Sequence, residues 1–146
     1  RIDMRAQRLE APIQAAGWFP TLIRVGATYY GLERGQLRVG RFEPRDASFE
    51  PVGLAEVPCC GSFGLAAGAP DGAAYLAART DGTVNLHTLD LATAELGPGQ
   101  PVIAPAGFHI EDMRFFGGTL YATTRAHGLV AIDPATGVMT VVAGSR

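Results

Sequence analysis

Lysine is absent from this chain of 146 residues, so all twelve basic side chains are arginine, which reads as codon usage rather than chemistry. Against fourteen acids they leave a net charge of −2, and they fall singly along the chain. No basic stripe is offered to a nucleic acid, and none is expected as a partner. Long apolar runs are missing too. The longest unbroken ones span a few residues, against about 18 for a helix that crosses a bilayer, so no membrane span is expected. No secretory leader is visible in a chain that begins at Arg1, which leaves export open. Also missing are a Gly-x-Ser-x-Gly elbow, a glycine loop that cradles phosphate ahead of a helix, and a dinucleotide fingerprint. No stretch of about twelve residues carries a helical period. What the chain has instead is Gly (19) and Pro (10), spread evenly, as short strands separated by many turns require.

The strongest positive signal is an internal repeat. Three segments align: 27–53, 72–97 and 118–144. Tyr29 (or its neighbour Tyr30), Tyr75 and Tyr121 recur about 46 residues apart, each in a short β-prone run. A turn follows each run: Glu33-Arg34-Gly35, Thr80-Asp81-Gly82 and Ala126-His127-Gly128. Then come a second alternating run, a turn bearing an acid or Pro, and a last apolar strand. In 128–133 the period is two, with Val130 and Ile132 on one side and Leu129 and Ala131 on the other. Asp133-Pro134-Ala135-Thr136-Gly137 is a turn by its chemistry: Pro sets φ, Asp bonds the backbone ahead, and Gly accepts positive φ. One more strand precedes each tyrosine run, at 19–25, 62–67 and 110–116, making about four per unit.

The predicted fold is therefore all-β and β-propeller-like, with three four-stranded antiparallel blades forming part of a ring or half of an assembled one. A β-trefoil, also three units of four strands, is the alternative. The boundaries read as 1–12 for the outer strand of a preceding blade, 13–58 for the first blade, 59–105 for the second and 106–146 for the third. The third copy, LYATTRAHGLVAIDPATGVMTVVAG, resembles blades of the NHL and SMP-30/gluconolactonase-like propellers. The first two copies follow that pattern loosely, with Leu91-Ala92-Thr93 and Pro44-Arg45-Asp46 at the corner. The resemblance speaks for architecture and leaves function open, because blades host many unrelated activities.

Cys59 and Cys60 are adjacent, and two readings stay open there. A vicinal disulfide would be strained, since neighbouring Cα atoms lie about 3.8 Å apart and disulfides prefer about 4.4–6.8 Å. Such a bond would place the protein in a periplasmic or extracellular compartment. Otherwise the pair are two small buried hydrophobes. His109, Glu111 and Asp112 form the densest polar group, at the start of the innermost strand of the third unit. The lactonase resemblance implies a divalent cation at such a place; the residues alone read equally as a solvated loop paired with Arg114. Trp18 and Phe19 suggest an aromatic wall for a ligand, or core. His87 and His127 are expected at the surface. With no catalytic set, the chain reads as a non-catalytic binding or assembly module without a cofactor, its loop faces open to a protein or small ligand. Its structural partners would be a second copy or the remaining blades of a longer chain. The alternative is part of a metal-dependent hydrolase of the SMP-30/lactonase kind.

Overall fold

The computed structural model describes residues 2–3, 8–9, 19, 21–33, 37–56, 64–69 and 71–143. Trp18, Cys59 and Cys60 lie outside them. Two short strands, β1 (Ile2–Asp3) and β2 (Arg8–Leu9), pair with each other. Three four-stranded sheets follow. The first holds β3 (Thr21–Val25), β4 (Thr28–Glu33), β5 (Arg38–Glu43) and β6 (Ser48–Leu54). The second holds β7 (Gly64–Ala67), β8 (Ala74–Thr80), β9 (Thr83–Leu89) and β10 (Leu96–Pro101). The third holds β11 (Ile110–Phe116), β12 (Thr119–Thr124), β13 (Gly128–Ile132) and β14 (Met139–Ala143). Within each sheet, neighbours in sequence are neighbours in space and run antiparallel. Among the described residues there is no helix.

Local chemistry explains the meanders. Asp81-Gly82 closes β8 onto β9, and Gly117-Gly118 closes β11 onto β12, with both residues of each turn at positive φ. That is the two-residue turn whose twist matches that of the strands it joins. The corner between the third and fourth strands is the same device in all three sheets. At Asp133 the carboxylate accepts the Ala135 N–H (2.9 Å) and the Thr136 hydroxyl (2.6 Å), and these bonds hold it below the usual carboxylate range. The Asp133 carbonyl accepts the Gly137 N–H (2.8 Å). At Asp90 the pattern repeats, with Ala92 N–H on the carboxylate (2.7 Å) and Ala94 N–H on the carbonyl (2.8 Å). At Glu43 the carboxylate accepts the Arg45 N–H (3.0 Å). The fifth corner residue is left-handed in each: Ala47 (φ 57), Ala94 (φ 65) and Gly137 (φ 71). An acid, three intervening residues and a small left-handed residue are thus the repeat's true signature, and they survive where Pro134 becomes Leu91.

The sheets pack face to face. Ile23, Leu32 and Val39 of the first seal against Leu65, Leu76 and Leu89 of the second in one core cluster. Ala77, Val84 and Leu86 on the other side of the second meet Ile110, Leu120, Val130 and Ile132 of the third in another. Val130 and Ile132 are buried and Leu129 and Ala131 are not, as the alternation requires. In the third sheet the alternation skips: Ile110 and Met113 are both buried because the register shifts between Ile110 and Asp112. A bulge absorbs the extra residue.

Among the described residues, strands of different sheets join only at the isolated Ile103–Val138 bridge. A trefoil would instead share a barrel of strands among its units, so that alternative fails. Separate four-stranded meanders stacked through their faces are the blades of a β-propeller.

Candidate functional site

The tyrosine repeat acquires a direction in the structure. Tyr30 pairs across the sheet with Ile23, Tyr75 with Ala66 and Tyr121 with Arg114. All three therefore stand at one register position, on the face turned toward the following blade. Tyr30 packs into the first core cluster. Tyr75 packs into the second, with its ring 5.7 Å from that of Phe115, and burial pushes its phenol above the ordinary value, helped by the Asp71 charge. Tyr121 lines an open cleft of about 160 Å³ with Thr123 and Leu129. The neighbouring Tyr29 faces the opposite way and belongs to another surface.

Arg114 stands where the other units carry Ile23 and Ala66, and its reach is long. Nη1 donates to the carbonyls of Met113 (2.7 Å) and Leu65 (3.1 Å) and to Asp112 Oδ1 (2.9 Å). Nη2 donates to the Leu22 carbonyl (3.2 Å). One guanidinium thereby ties the first strands β3, β7 and β11, which run side by side at the centre. Its planar fork suits several carbonyls at once, which an ammonium cannot match. Arg114→Ala should lower stability by about 1–2 kcal/mol: bonds to a charged group contribute about 1.5–3, discounted because the side chain is half exposed. Arg114→Lys should restore little of it. Urea midpoints of the three proteins measure this.

Beside Arg114, a groove of about 400 Å³ runs over the first sheet, lined by Leu22, Ile23, Arg24, Tyr29, Phe42 and Pro44, and reaches Ala67 of the second. The Arg24 guanidinium lies 5.8 Å from the centre of the Tyr29 ring, and its Nε donates to the Gly26 carbonyl (2.9 Å). A larger recess, of about 570 Å³, shares Tyr29, Phe42 and Pro44 with it and extends to Arg41, Arg45 and Glu50. Phe19 folds onto this face, its ring 5.4 Å from Phe42 and 4.7 Å from Phe49. Gly40 makes room for that cluster, since a Cβ there would fall 2.6 Å from the Phe49 ring.

Of the residues singled out from sequence, Glu111 and Asp112 lie on β11 and His109 just before it. Each acid meets a different arginine: Glu111 Oε1 sits 3.4 Å from Arg125 Nε, and Asp112 is held by Arg114. Among the described residues no three His, Cys, Asp or Glu side chains converge as metal ligands would. His127 lies in its turn, stacked near Phe108 (6.2 Å). His87 departs from the surface expectation. It is half-buried, its Nδ1 is 3.0 Å from the Gly97 carbonyl, and its buried Nε2 has no partner. Sequence reasoning gave Arg114 only as a partner for the acids, which it is for Asp112, and Tyr29 only as a repeat residue, and it passed over Leu22 and Phe42. The signal for Arg114 was available: aligned on their tyrosines, two units place an apolar residue where the third places a cation.

No helix among the described residues is long and apolar enough to cross a membrane. No family model and no curated protein matches the chain. It is similar to a solved structure described as "Structure of Dos1 propeller", with 17% identity and a TM-score of 0.47 over 77% of this chain and 32% of that one. The chain thus spans about a third of that structure's length.

Proposed function

We propose that this chain is a non-catalytic binding or assembly module of the β-propeller type, working through surfaces rather than through a reaction of its own. One observation carries the reading. The repeat tyrosine, which packs partly buried against a following blade at Tyr30 and Tyr75, recurs at Tyr121 beside an open cleft. An apolar face beside an open cleft marks an interaction surface. The acids on β11 support it as well, because each turns one oxygen to a different arginine rather than both toward a shared point. The rival reading, a metal-dependent hydrolase of the SMP-30/lactonase kind, rests on those same acids standing on an innermost strand.

Thermal unfolding with and without Ca²⁺, Mg²⁺, Mn²⁺ and Zn²⁺ separates the two. A cation bound only by the folded chain raises the midpoint, and at 100 times its Kd it would add about 2.7 kcal/mol. The module reading expects no shift with any of the four. A rise that disappears in Glu111→Gln/Asp112→Asn would overturn it in favour of the hydrolase.

A further inference from the structure

We infer that the carbonyls of Leu22, Leu65 and Met113, with the Asp112 carboxylate, form a guanidinium-binding site where the first strands come together, and that the chain fills it with its own Arg114. The ligand class is a planar organic monocation.

The site follows from strand edges. Among the described residues, β3, β7 and β11 each stand at the end of their sheet's strand order, so one edge of each has no strand to pair with. β7 neighbours both of the others. Backbone carbonyls on an unpaired edge still need a donor. The three that Arg114 reaches are one position repeated. Leu22 pairs with Gly31, Leu65 with Leu76 and Met113 with Ala122, and each of those partners is the residue after a repeat tyrosine. Three equivalent carbonyls therefore converge on one guanidinium, and Asp112 Oδ1 adds a negative charge.

One cation serves three blades. At the register position of Arg114 the first blade carries Ile23 and the second Ala66. An arginine in every blade would bring three positive charges to a place with one carboxylate. Nη1 meets the Leu65 and Met113 carbonyls and Asp112, while Nη2 meets Leu22, so two nitrogens of one plane serve four acceptors. A guanidinium spreads weakly hydrated donors in a plane, whereas an ammonium is a strongly hydrated point charge. Hard divalent cations want about six oxygens or more. The set thus selects by shape as well as by charge. The Arg114 and Asp112 side chains are 50% and 46% exposed, so a free ligand can enter once the tether is gone.

The test removes the tether and supplies the head group. Arg114→Ala deletes the atoms that ethylguanidinium replaces. In that variant, ethylguanidinium at about 10 mM should raise the thermal midpoint, because a ligand bound only by the folded chain stabilises it. The unaltered protein should show no such rise, its site being full. Ethylurea has the shape without the charge and ethylammonium the charge without the fork; each should bind at least about tenfold more weakly. Arg114→Ala/Asp112→Asn should lose most of the rescue. The unaltered protein gives a second reading that needs no variant to fold. In ¹⁵N NMR the Arg114 Nη1 and Nη2 should give separate signals, since their bonds hinder rotation, while Arg125, 82% exposed, gives one averaged signal. A folded Arg114→Ala without rescue overturns the proposal. So do equal rescue by ethylurea, stabilisation by Ca²⁺ in place of ethylguanidinium, or an averaged Arg114 signal. None of these outcomes touches the module reading, which the metal response of the unaltered chain decides.

Discussion

Gly137→Ala should cost about 2–4 kcal/mol, although alanine fits the same backbone conformation at the two equivalent corners. Ala47 and Ala94 hold φ values of 57 and 65, close to the 71 of Gly137, so left-handed strain alone does not forbid a side chain there. The obstacle is tertiary. A Cβ on Gly137 would fall on the Pro101 carbonyl oxygen of the second blade. Backbone is the least yielding neighbour, and overpacking of this kind costs about 1–3 kcal/mol. Moving the corner away would also break the bond from Ile103 N–H to the Gly137 carbonyl (2.8 Å), adding about 1 kcal/mol. That bond and the Ile103–Val138 bridge are where the outer edges of the second and third blades meet. Urea unfolding should show a clear fall in midpoint, and amide exchange at Ile103 should accelerate. An unchanged midpoint would mean that the seam between these blades is looser than the contact implies.

Leu76→Ala should be the more damaging change, at about 2–5 kcal/mol. Leu76 is fully buried at the centre of β8, in the cluster that joins the first two blades. Removing three carbons there loses transfer free energy and leaves a cavity between two sheets that each have hydrogen-bonded strands to hold them rigid. Domains of this size are stable by about 5–15 kcal/mol, so the change takes a large share. Val25→Ala, at a residue 40% exposed on a strand end, should stay within about 0.5 kcal/mol. Denaturant midpoints for the two variants test the contrast, and equal values would deny that the blade interface is a packed core.

How much of this was legible beforehand depended on the range of the forces involved. The strand at 110–116 coincides with β11, and within the described residues the strands at 19–25 and 62–67 are seen as Thr21–Val25 and Gly64–Ala67. Periodicity and turn chemistry act within a few residues, and they are written where they act. The choice between Tyr29 and Tyr30 was not legible, because both neighbours are tyrosine and only the register with Ile23 shows which faces the next blade. His87 was misplaced for a related reason. On β9 Val84 and Leu86 are buried on one face, and the face that carries Asn85 and His87 is half-covered rather than open to solvent.

The amino-acid sequence alone determined the all-β class, the period of about 46 residues, the four-stranded units and the acid-led corners. Each follows from side-chain alternation and local hydrogen bonds, which need no knowledge of distant parts of the chain. Tertiary structure alone decided that Arg114 reaches the carbonyls of Leu65 and Leu22, 49 and 92 residues away in the chain. It alone decided that Gly137 abuts Pro101 while Ala94 fits its own corner, and that Tyr75 packs against a core cluster while Tyr121 lines an open cleft. Those outcomes depend on how one twisted sheet is seated on the next. That seating is set by the summed packing of both faces, which no short stretch of sequence encodes.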